Sequence, residues 1–202
     1  MKMKTLLAAI ALCLLSLPGA WAFDAATEAV IASQKIGKPV AIEDVARLMQ
    51  ASERWCYLEE AGSCAWTDVY LDVSPDGAEY EIGNAWDATI DIALIAHGRF
   101  ENGQAICETA NDWLASVRAM RRDDASLVGG RALRDLKAEI AAVVGPPSQD
   151  CFDYVFRGVD TATQTITLLQ RQSSDGVHDP AQDTLVTLHF DPETAAQLSL
   201  RW

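Results

Sequence analysis

The chain reads as an α+β protein, a largely antiparallel sheet with N-terminal and mid-chain helices packed on it and two disulfides. Three observations carry this reading. Apolar residues alternate with polar ones in several segments joined by turns of hairpin length; separate stretches near the start and in mid-chain carry apolar residues at helical spacing; and an even set of four cysteines follows a leader of the export type. Hairpin-length connections exclude a mostly parallel sheet, which needs long crossovers.

Residues 1–22 place Lys2 and Lys4 before an apolar run from Leu6 to Leu17 and end on Ala20-Trp21-Ala22. The run is shorter than the roughly 20 residues a spanning helix needs, and the small-x-small ending suits a signal peptidase. The expectation is a signal peptide over 1–22 and a single α+β domain over 23–202, periplasmic or secreted, with no stable membrane anchor after cleavage.

Next comes an alanine-rich helix over 25–35, broken by Gly37-Lys38-Pro39. A second helix carries Ile42, Val45, Leu48 and Met49 on one stripe, with Glu43 and Asp44 in the first turn, where the helix dipole favours negative charge. From Ala65 the period becomes two. Val69, Leu71 and Val73 alternate with Asp68, Tyr70 and Asp72; Ser74-Pro75-Asp76-Gly77 supplies a turn; Tyr80 and Ile82 alternate with Glu79 and Glu81. A third strand over 88–100 puts Ile90, Ile92, Leu94 and Ala96 on one face, and Asn102-Gly103 turns the chain into a short strand ending near Cys107. Residues 109–112 resemble a capping box, and Trp113, Leu114, Val117 and Met120 follow at helical spacing. Another helix carries Leu133, Leu136, Ile140, Val143 and Val144 and stops at Gly145-Pro146-Pro147. Strands then run through Phe152, Tyr154 and Phe156, through Ile166 and Leu168, and through residues 185–188, with a polar loop at 172–182.

Removing 22 of 202 residues leaves 180, and it removes two lysines and no acid, so the formal charge moves from −13 to −15. Such a chain repels phosphate backbones, which excludes nucleic acid as a partner class. The four cysteines of the mature chain are Cys56, Cys64, Cys107 and Cys151. Export favours disulfides over zinc, no C-x2-C pair is present, and the short turn-like segment between Cys56 and Cys64 favours pairing these two and leaving Cys107 with Cys151.

No H-E-x-x-H motif or nucleophile elbow surrounds His97, His178 or His189. His97 and His189 fall near strand ends and stand as a pair that the fold alone would assemble. The loop holding Asp175, His178, Asp179 and Asp183 has turn chemistry rather than EF-hand spacing, so no metal is expected, and no cofactor motif occurs. Asp87 and Asp91, with Glu79 and Glu81, form a candidate carboxylate cluster on exposed strand faces. Arg118, Arg121 and Arg122, with Arg131 and Arg134, form the one basic stretch, an anion or partner face if the helical spacing holds. Trp55, Tyr57 and Trp66 flank the short disulfide loop as core aromatics.

The sequence points first to an exported, non-catalytic binding or accessory protein whose partner is another exported protein. Two alternatives stay open: a small exported hydrolase with a carboxylate/His site assembled in three dimensions, and a small-ligand carrier. Whether the chain is an enzyme is not decided by its residues. Intact-mass analysis of exported protein is expected to find Phe23 at the N-terminus, and a soluble product retaining residues 1–22 would contradict the compartment and the disulfide argument together.

Overall fold

A computed structural model describes residues 23–108, 113–143 and 149–202. The signal peptide, the capping box at 109–112 and the Gly145-Pro146-Pro147 stop lie outside the described residues. In chain order the elements are α1 (Ala25–Ser33), α2 (Ile42–Ala51), β1 (Arg54–Tyr57), β2 (Ser63–Cys64), β3 (Trp66–Ser74), β4 (Gly77–Ala85), β5 (Ile90–Glu101), β6 (Ala105–Glu108) and β7 (Arg118–Arg121). They continue as α3 (Gly130–Val143), β8 (Asp150–Asp160), β9 (Thr165–Ser174), β10 (Val177–His178), β11 (Thr184–His189), α4 (Pro192–Gln197) and β12 (Ser199–Leu200).

Eight antiparallel strands close into a barrel in the order β1, β3, β4, β5, β6, β8, β9, β11, with β11 returning to β1. The expected antiparallel strands, helices and two disulfides are all present, and the sheet closes on itself into a barrel rather than offering one face to the helices. Closure depends on β11 pairing with β1, whose residues lie more than a hundred positions apart, and on β6 meeting β8 across α3. Neither pairing leaves a local pattern. Two irregularities, between Tyr70 and Asp72 on β3 and between Phe156 and Gly158 on β8, add the local bend that a small barrel needs. Gly98 contributes as well, because a Cβ there would run into the side chain of Ile106 on the neighbouring strand.

The N-terminal segment is part of the barrel wall. β6 is so short that it pairs only with residues 151–153 of β8, and the chain before α2 takes the positions beyond it. The Gly37 and Val40 amides donate to the carbonyls of Phe156 and Tyr154, both at 2.8 Å, and the Phe156 amide donates to Lys38 at 3.0 Å. This lays α2 across the lower end of the barrel, where the Ile42 amide donates to the Gly103 carbonyl in the β5–β6 turn. The stripe Ile42, Val45, Leu48 and Met49 is fully buried there against Trp55, Ile166, Leu168 and Leu188.

A second, smaller core lies where β5 outruns the barrel. Its first residues, Ile90–Ala93, pair with β7, and Ile92, Val117 and Ala119 pack against Ile140 of α3. The helix expected through Trp113, Leu114, Val117 and Met120 is corrected here. A single 3₁₀ turn, Trp113–Ser116, ends when the Ser116 hydroxyl donates to the Trp113 carbonyl and accepts the Ile95 amide, and the chain then extends as β7. Pairing with β5 overrides the local helical spacing, and Met120 faces outward, 39% exposed.

Both disulfides form with the expected partners. Cys56–Cys64 ties β1 to β2, and β2 in turn pairs in parallel with the C-terminal β12. Cys107–Cys151 joins directly opposed residues of β6 and β8 and encloses β7 and α3. The bridges span sequence separations of 8 and 44. On loop length, Cys107→Ser is expected to lower stability to urea more than Cys56→Ser, by about 1.5 kcal/mol; equal losses would mean that strain or unfolded-state structure outweighs chain entropy.

Candidate functional site

The barrel interior changes character along its axis. At the lower end the inward residues are apolar, Trp55, Ala78, Ala96, Phe156, Ile166, Leu168 and Leu188, and they meet α2. Above them the same strands present tyrosines, carboxyls and amides: Tyr57 on β1, Asp68 and Tyr70 on β3, Tyr80 on β4, Glu108 on β6, Tyr154 on β8, Gln170 and Gln172 on β9. Trp66, Ile82, Ile106 and Phe152 complete the wall of a chamber of about 150 Å³. A cavity of that size holds a benzene-sized molecule or a few waters.

A hydrogen-bonded network lines it. The Tyr57 hydroxyl donates to Asp68 Oδ2 at 2.6 Å, and Gln170 Nε2 donates to the hydroxyls of Tyr57 and Tyr154, both at 3.2 Å. Trp66 stacks on Tyr57 at 4.7 Å with 14° between planes, which fixes the ring that holds the carboxyl, and Tyr70 packs against Tyr80 at 5.4 Å. Asp68 is only 5% exposed, and its second oxygen, Oδ1, has no hydrogen-bond partner among the described residues. A buried polar atom left unpaired costs about 1–3 kcal/mol, so its presence here calls for an explanation.

Burial sets the protonation chemistry. Desolvation pushes Asp68 up to about 7, with the Tyr57 hydrogen bond opposing and the nearby Glu108 charge assisting. Glu108 is also raised, by burial first and by Asp150 second, against a lowering hydrogen bond from Tyr80. The four tyrosines are all raised, chiefly by burial, and stay neutral donors. Among the described residues, no lysine, arginine or histidine lines the chamber. The arrangement can exchange a proton near neutral pH and offer a hydrogen-bond acceptor to a guest.

The residues singled out in the sequence lie elsewhere. Arg118 and Arg122 are on the outer face of β7 and just past its end, where Arg118 pairs with Glu81 and Arg122 approaches Asp91 at 3.4 Å and donates to the Leu200 carbonyl at 2.5 Å. With Arg54 they line an outer groove of about 570 Å³ between the sheet and residues 198–200, floored by Val69, Ala93 and Ala119. Arg121 falls on the opposite face of the strand from Arg118, and Arg131 and Arg134 are on α3, so the five arginines do not form one helical face. His97 meets Glu79 at 3.5 Å on the outer face of β5, while His189 Nε2 meets the Glu59 carboxylate at 3.0 Å on the outside of β11. The His97/His189 pair is thus not assembled. Cys56 lies beside Glu59 and His189, but its sulfur is held in the disulfide. In the polar loop His178 meets Asp183 at 2.7 Å, Asp179 caps the 3₁₀ turn Pro180–Gln182, and Asp175 accepts the Gln149 amide. Asp87 accepts the Thr89 and Ile90 amides in a turn, so the outer carboxylates serve local structure.

Asp68, Tyr70, Tyr80, Glu108, Tyr154 and Gln170 were not singled out as a site by sequence. Tyr154 and Tyr80 are legible as inward strand residues; simple alternation sets Asp68 and Tyr70 on the face opposite Val69 and Val73, whereas the irregularity after Tyr70 puts both Tyr70 and Val73 in contact with the core.

Since the folded value for Asp68 exceeds its ordinary 3.8, the folded protein keeps a proton that the unfolded chain has lost between about pH 4 and 7. The associated stability is fully present below about pH 4 and is lost as pH rises through about 7. Urea unfolding of the wild type is expected to show a fall of a few kcal/mol across this window, on the order of 1.4 kcal/mol per pH unit, and Asp68→Asn to flatten it. Wild-type and Asp68→Asn stabilities that run parallel from pH 4 to 7 would contradict the burial of this carboxyl.

Comparison with protein-family models, curated proteins and solved structures finds no match to this chain.

Proposed function

We propose that this is an exported binding protein whose barrel receives one small ligand in the upper chamber. The observation that supports the reading most is Asp68, a buried carboxyl with an unpaired oxygen beside a cavity, in a barrel whose lower half is packed solid by α2. Folding into a chamber that leaves an acceptor unpaired makes sense where a guest pairs it. This favours the carrier alternative over a role confined to protein partners, although the outer groove gives a partner a second surface. The signal-like leader and the two disulfides support a location outside the cytoplasm, in the periplasm or the medium.

A hydrolytic or isomerising reading is favoured by one observation, that Asp68 titrates near neutrality and so fits a general acid or base. The two readings part on what happens to the guest. A screen of molecules of about four to ten heavy atoms, followed by Trp66 fluorescence and by amide shifts on β1, β3, β4 and β8, is expected to find ligands recovered unchanged. Ile82→Trp, which fills the rim of the chamber, is expected to abolish their binding. Hits whose shifts cluster at the outer groove and survive Ile82→Trp would overturn the binding reading, and conversion of a hit that stops in Asp68→Asn would move the protein to the enzymes.

A further inference from the structure

Resting on the chamber reading, we infer that the ligand is a small organic cation, an ammonium or methylated ammonium of about six heavy atoms, held between Asp68 and Glu108 in a cage of tyrosines. Charge is the first argument. Two carboxyl groups face one chamber, and among the described residues no cationic side chain lines it. Elsewhere in the described molecule carboxylates meet arginines, as Asp44 meets Arg47, Glu81 meets Arg118 and Asp153 meets Arg171. Inside the barrel no countercharge is found among the described residues, and the nearby Glu108 charge opposes the ionisation of Asp68. A single positive charge between them removes that repulsion and pairs Asp68 Oδ1.

Ring chemistry is the second argument. Tyr57, Tyr70, Tyr80 and Tyr154 all line the chamber, and aromatic faces attract cations through their quadrupoles, most strongly where water is excluded. Size is the third. About 150 Å³ admits tetramethylammonium or a short-chain amine.

Binding is coupled to a proton. The titratable groups facing Asp68 are Tyr57 from β1, Tyr70 from its own strand, Tyr80 from β4, Glu108 from β6 and Tyr154 from β8, with Asp150 acting on Glu108. The tyrosines remain protonated, so the cation displaces the proton of Asp68, which leaves to solvent as the carboxylate pairs with the guest. Affinity therefore rises with pH up to about 7 and falls about tenfold per pH unit toward 5.

The test is calorimetry with tetramethylammonium and its neutral counterpart tert-butanol, in buffers of different ionisation enthalpy. The expected result is saturable binding of tetramethylammonium with release of roughly half a proton at pH 7, at least about tenfold weaker tert-butanol binding, and loss of at least about tenfold in affinity for Asp68→Asn and for Glu108→Gln. Near-UV circular dichroism checks that each variant is folded, and the wild-type proton release stands independently of the variants. Equal binding of both probes without proton release would overturn the cation assignment while leaving a small-ligand chamber in place. Binding of neither probe to folded wild type would overturn the assignment too, and the chamber reading then stands or falls on the Ile82→Trp comparison.

Discussion

Inside the barrel, the Tyr57 hydroxyl holds one oxygen of Asp68 at 2.6 Å while the other oxygen has no partner among the described residues. A carboxylate removed from water without a countercharge carries a penalty far larger than one neutral hydrogen bond returns, so the group holds its proton to about pH 7. The surrounding arrangement follows from managing that penalty. Gln170 ties the Tyr57 and Tyr154 hydroxyls together, and Trp66 stacks on Tyr57 so that the donor stays aimed. An apolar residue of similar size at this position would remove the penalty altogether. Its presence points to a use.

The barrel supplies the conditions for that use. An eight-stranded barrel has an interior just wide enough to be filled by side chains or to hold one small guest, and this chain does one at each end. α2 and the apolar inward residues fill the lower end, anchored by backbone hydrogen bonds from residues 37–42 to β8 and to the β5–β6 turn. Polar and aromatic residues line the upper end. The Cys107–Cys151 bridge sits on β6 and β8, immediately beside Glu108 and Phe152 of the chamber wall, and the Cys56–Cys64 bridge sits beside Tyr57. Each disulfide therefore stiffens a strand that carries part of the chamber, linking the covalent framework to the site.

Much of the local structure was legible in the residues. The stripe Ile42, Val45, Leu48 and Met49, the Ser74-Pro75-Asp76-Gly77 and Asn102-Gly103 turns, the alternation of Ile90 through Ala96 and the pairing of the cysteines all express short-range chemistry. What was not legible is long-range. Closure requires β11 to find β1, and the fate of residues 113–121 depended on β5, which turned a helix-like spacing into a 3₁₀ turn and a strand. The site was hidden for the same reason. Unbroken alternation from Ser74 would set Leu71 opposite Tyr80, whereas the irregularity sets Tyr70 there and turns Asp68 into the barrel. An acidic residue in a half-polar strand looks solvent-facing until that one-residue shift is known.

Asp68 is a desolvated carboxyl within the barrel, and its carboxyl carbon reports this directly. A ¹³C titration of the side-chain carboxyls between pH 3 and 9, assigned through Asp68→Asn, is predicted to give Asp68 a midpoint near 7. A midpoint near the ordinary 3.8 would mean that the group is hydrated or already paired, and would contradict both the chamber and the function built on it.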